Sequence, residues 1–99
     1  MSKQAELAKE MSKNKATKFF LNMTKYNSDC LIINIKDYNE SNENTDRDIS
    51  YKLYKHNKEC FEDNVKDIKE VFGETIPEKL EMEIKETSNM MKNFEASLK

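Results

Sequence analysis

Residues 75–98 read TIPEKLEMEIKETSNMMKNFEASL, and Leu80, Ile84, Thr87, Met91, Phe94 and Leu98 step through them by 4, 3, 4, 3 and 4. Each residue of an α-helix turns the chain by about 100°, so a step alternating between three and four keeps returning to one stripe. A strand would repeat every second residue. The beginning is marked as well. Thr75 and Glu78 have the spacing of a capping box, and Pro77 falls in the first turn, where its missing N–H costs nothing. A helix over about residues 76–98 follows. Its narrow heptad stripe suits another helix crossing at a shallow angle, and in so short a chain it reads as an internal seam.

Upstream, residues from about Asp46–Asp48 to Phe72 repeat apolar side chains at Leu53, Tyr54, Cys60, Phe61, Val65, Ile68, Val71 and Phe72. Gly73 follows directly, the residue that most readily closes a helix in a left-handed turn. Two helices joined this tightly are expected to form an antiparallel hairpin. Residues 39–47 are polar and aperiodic and form the main loop. Before them, residues 3–27 place Ala5, Ala8, Ala16, Phe19, Met23 and Tyr26 on one face, with Leu7, Met11 and Leu21 on another. A surface helix needs one apolar strip. Two strips put this helix between neighbours in the bundle, or leave the second strip for a partner. Residues 28–38 are rich in isoleucine, which favours a strand locally. No other stretch would pair with it, however, and Cys30 and Ile33 continue the spacing of Met23 and Tyr26. They read as helix, either a continuation or a short separate piece.

The expected fold is therefore all-α: one domain over residues 1–99, a small bundle of three long helices. A short fourth would lie around residues 29–38, and the second and third long helices would form the hairpin. The core should draw on Phe19, Met23, Ile33, Phe61, Val65, Ile68, Phe72, Leu80, Ile84, Met91 and Phe94. Composition agrees. One Gly and one Pro leave out the punctuation that many short strands require, and 36% of the chain is charged. The net charge is only -2, but residues 1–26 are basic and Asp29 to Asp48 is acidic. These stretches are expected to complement each other within the fold.

Several functions find no support in the residues. The longest apolar run, Cys30-Leu31-Ile32-Ile33, cannot span a membrane, and residues 1–15 lack a signal-peptide core. Cys30 and Cys60 give neither a metal-ligand spacing nor a disulfide framework, so free thiols and a cytoplasmic location are expected. The same two cysteines exclude the paired Cys-x9-Cys helical hairpins, and the absence of Trp excludes secreted hairpins with a Trp-x-Gly turn. His56 has no nucleophile motif around it, and Gly73 ends a helix instead of cradling a phosphate. The lysines of the first helix scatter round its wheel, which argues against nucleic acid. Asp37, Asn39, Ser41, Thr45 and Asp48 fall at calcium-loop positions 1, 3, 5, 9 and 12, but Asn42 replaces the glycine needed at position 6. Asn57 and Asn64, seven residues apart, interrupt an apolar face, as register-setting amides do in helix seams.

The function these residues suggest is a small protein-interaction module, an adaptor, chaperone or regulatory subunit, with no enzymatic activity and no cofactor. Its partner would be a protein, bound through Leu7, Met11 and Leu21 with Asn57 and Asn64 as a second contact. Self-assembly into a homo-oligomer is the first alternative, and a divalent-cation-binding helix-loop-helix the second.

Overall fold

The computed structural model describes residues 2–98, which form four helices and no strand: α1 (Lys3–Lys9), α2 (Lys13–Glu40), α3 (Asn44–Phe72) and α4 (Glu78–Ser97). The chain does not run unbroken from residue 3 to 27. It stops after Lys9 and restarts at Lys13, where the Ser12 side chain accepts the Lys15 N–H at 3.3 Å, as Ser2 accepts that of Ala5 at 3.0 Å. A serine satisfying an otherwise orphan donor is a helix start signal, and here it repeats ten residues on. The short fourth helix is therefore at the N-terminus and not around 29–38, where α2 continues without interruption to Glu40.

That break also sets which face of α2 is buried. Ala5 and Ala8 belong to a separate helix, so their spacing cannot be carried across into α2. The buried residues of α2 are Ala16, Phe20, Thr24, Asn27, Leu31 and Asn34, one position on from the expected stripe. Tyr26 and Ile33 are 65% and 57% exposed, and Phe19 and Met23 are half-buried. Polar side chains occupy three of the six inward positions, which is why apolar periodicity alone points to the wrong face.

Two clusters make the core. At one end Ala8, Ala16, Phe20, Ile68, Phe72 and Leu80 bring all four helices together. At the other, Leu31, Tyr54, Phe61, Met91 and Phe94 are joined by Tyr38 and Tyr51, with the Tyr54 and Phe94 rings edge-on at 4.8 Å. Of the remaining expected core, Val65 and Ile84 are half-buried. The closest pair of helices is α2 with α3, and α4 lies closer to α2 than to α3, so the tight pair is not the expected one of α3 with α4. Phe20 meets Phe72 at one end and Tyr38 meets Tyr51 at the other, so the two run in opposite directions from the three-residue turn 41–43. Gly73 ends α3 at φ 60° as expected. The capping box does not form: the Thr75 hydroxyl donates instead to the Phe72 carbonyl at 2.8 Å, and Pro77 precedes α4.

α2 has 28 residues, about 42 Å at 1.5 Å per residue. Lys9, Lys13, Lys15 and Lys18 consequently lie at one end of a molecule 48 Å long, and the acidic turn from Asp37 to Asp48 at the other. The oppositely charged stretches do not neutralise each other within the fold.

Candidate functional site

Between α3 and α4 the surface opens. Near the end of α4, Phe94 packs on Tyr54, and Glu95 accepts the Tyr54 hydroxyl at 2.7 Å while pairing with Lys58 at 2.9 Å. Burial first, and then the Glu95 carboxylate, push the Tyr54 phenol well above its usual range, so it stays a proton donor. Near the start of α4, Leu80 packs with Ile68 and Phe72. Between these anchor points lies a groove of about 940 Å³. Phe61, Val65, Ile76, Met82, Ile84 and Met91 make its apolar bed. Five lysines, at 58, 66, 69, 85 and 92, stand along its edges with Glu62, Glu78 and Glu81.

The α2–α3 seam is different in kind. Asn34 accepts from the Asn57 amide at 2.6 Å, and the Asn64 amide donates to the Thr24 hydroxyl at 3.1 Å. Thr24 itself donates to the Phe20 carbonyl, and Gln4 of α1 donates to Asn64 and to Asp67. Ser2 donates to Asp67 at 2.8 Å. A buried amide without partners is costly, and this network gives Asn64 its bonds within the chain.

Beyond α1, the outer side of the α2–α3 pair is bare. Tyr26, Cys30 and Ile33 lie there on α2, and Ile49, Leu53 and Cys60 on α3. The Tyr26 phenol is raised, chiefly by the Cys30 thiol one turn on and more weakly by Cys60. Asp37 and Leu53 flank one shallow depression at the acidic end.

The five expected partner-binding residues do not form one surface. Leu7 is 61% exposed on α1, whereas Met11 and Leu21 are half-buried against the first core cluster. Asn57 and Asn64 face α2 and are engaged there. The α3–α4 groove was less evident from sequence, although Met82 lying off the α4 stripe was a visible signal. The twelve-residue calcium arrangement is absent, because α2 continues to Glu40 and α3 begins at Asn44, leaving only residues 41–43 outside a helix. Among the described residues no three His, Cys, Asp or Glu side chains are grouped to hold a metal ion. His56 and Cys60 touch at 3.8 Å, one turn apart on exposed helix. No helix among the described residues is long and apolar enough to cross a membrane. Set against protein-family profiles, curated protein sequences and solved structures, the chain matches none of them.

Proposed function

We propose that the protein is a helix-binding interaction module whose α3–α4 groove receives an amphipathic helix from a protein partner. The observation that carries this reading is the open apolar bed between two helices, edged by lysines. Taking α3 and α4 as an antiparallel hairpin anchored at both ends, the groove is held open in the free protein, so a ligand needs little rearrangement of its host. Its edges run from Lys58 to Lys69 on α3 and from Glu78 to Lys92 on α4. At 1.5 Å per residue they span roughly 16–21 Å, the length of a helix of three to four turns. Burying the apolar face of such a helix supplies the affinity, and flexible Met82 and Met91 accommodate its side chains. Lysines outnumber glutamates along the rim, which favours a partner helix with acidic flanks.

The test is a pull-down of the tagged protein from its native cell extract, read by mass spectrometry, in parallel with two variants. A stoichiometric partner retained by Leu7→Asp and lost with Met82→Asp/Lys69→Glu supports the groove. Loss with Leu7→Asp and retention by the groove variant moves the binding surface to α1 and overturns the reading.

A further inference from the structure

The heptad-spaced stripe Phe19, Met23, Tyr26, Cys30 and Ile33 steps by 4, 3, 4 and 3 along α2, the spacing of a helix–helix seam. Yet from Tyr26 onward it is largely uncovered, with Tyr26 and Ile33 exposed and Cys30 between them half-buried. α1 lies over one end of the same side of the α2–α3 pair, with Ala5 and Ala8 turned inward and Ser2 and Gln4 bonded to Asp67 and Asn64. With seven residues, α1 is too short to cover the rest. Ile49 and Leu53 continue the bare patch on α3, each about half exposed, at 52% and 49%. Contiguous exposed apolar side chains on a small chain otherwise this rich in charge mark an interaction surface.

We propose that this bare α2–α3 face binds a second copy of the chain, the two copies meeting face to face about a two-fold axis with their long helices running in opposite directions. Two features select a second copy. The first is spacing: a stripe stepping by four and three is complementary to itself, and two such stripes brought together from two α2–α3 pairs make a four-helix layer. The second is charge. Within residues 36–48 at the turn end, Asp37, Glu40, Glu43, Asp46 and Asp48 stand against Lys36 and Arg47. The other end, residues 3–18 and 66–79, carries eight lysines, five of them Lys3, Lys9, Lys13, Lys15 and Lys18, against the six acids Glu6, Glu10, Asp67, Glu70, Glu74 and Glu78. A two-fold arrangement places the acidic turn of each copy toward the lysine-rich end of the other. A parallel arrangement would set acid against acid. The surface is separate from the α3–α4 groove, so each proposal stands or falls alone.

Sedimentation equilibrium from about 10 μM to about 1 mM, a range covering weak dimers, decides the matter. The average mass is expected to rise from that of one chain toward that of two. Ile33→Asp is expected to raise the dissociation constant more than about tenfold. Because Ile33 is exposed, circular dichroism should show an unchanged melt at low concentration, which separates lost association from lost folding. Glu40→Lys/Glu43→Lys and added salt should both weaken the dimer, by screening or reversing the end charges. Met82→Asp, in the other groove, should leave it unchanged. A single-chain mass throughout overturns the proposal. So does a dimer indifferent to Ile33→Asp or one lost with Met82→Asp. A monomeric protein whose Ile33→Asp variant loses a different partner assigns the face to that partner and overturns it too.

Discussion

Helix α3 has two long neighbours and meets them in opposite ways. Toward α2 it presents Asn57 and Asn64, which bond to Asn34 and Thr24, and the helices lie close together. Toward α4 it presents Tyr54 and Phe61, set against Phe94 and Met91. The α2–α3 seam carries rings toward its ends, where Phe20 meets Phe72 and Tyr38 meets Tyr51, and paired polar side chains between them. Close approach and aromatic packing are therefore separate properties. The side closed by Tyr54 and Phe94 is the one that leaves a groove. The polar side contributes less per residue but fixes alignment, since an amide must meet its own partner and no other.

The sharpest way to break the contrast is at the aromatic side. Phe94→Ala removes a ring buried between Tyr38 and Tyr54, and a cost of about 3–5 kcal/mol is expected in denaturant unfolding. Phe61→Ala should behave alike. A melt unchanged by either would take that ring out of the core. The polar seam should respond less. Asn64→Ala removes one partner each from the Thr24 hydroxyl and the Gln4 amide, which keep their bonds to the Phe20 carbonyl and to Asp67, for an expected loss of about 0.5–1.5 kcal/mol. If the loss instead matched that of Phe94→Ala, the seam would be a main source of stability and the contrast would fail. Smallest of all is Thr87→Val. The Thr87 hydroxyl is buried on α4 without a hydrogen-bond partner among the described residues, so replacing it with a methyl should stabilise the chain by up to about 1 kcal/mol. Destabilisation on calorimetry would reveal an acceptor, or a water, serving that hydroxyl.

Much of this was legible in the sequence, and the failures share one cause. Apolar spacing located α3 and α4 and six of the buried core residues, because those helices bury large hydrophobic side chains. It misassigned the face of α2, where Thr24, Asn27 and Asn34 point inward while Tyr26 and Ile33 face out. A periodicity argument counts apolar residues, and a seam built from paired amides is invisible to it until the pairing is seen. Asn57 and Asn64 did stand out as polar residues on an apolar face. What spacing could not tell was that their partners are Asn34 and Thr24 of this same chain. The groove was harder still, since an opening between two helices depends on side-chain bulk at both anchors and not on any single motif.

The N-terminal helix has a consequence for how the protein is made. Ser2 and Gln4 donate to Asp67 and Asn64, sixty or more residues further along. At about 5–20 residues per second, several seconds of synthesis separate α1 from its seat. Throughout that interval Ala5, Ala8 and the half-formed first core lie open to solvent. The α2–α3 hairpin, closed by a three-residue turn, needs no such wait. On a nascent chain the pairing of α2 with α3 can start at the turn while α1 still waits, so a chain stalled before residue 64 lacks the seat of α1 and would offer Ala5 and Ala8 to chaperones.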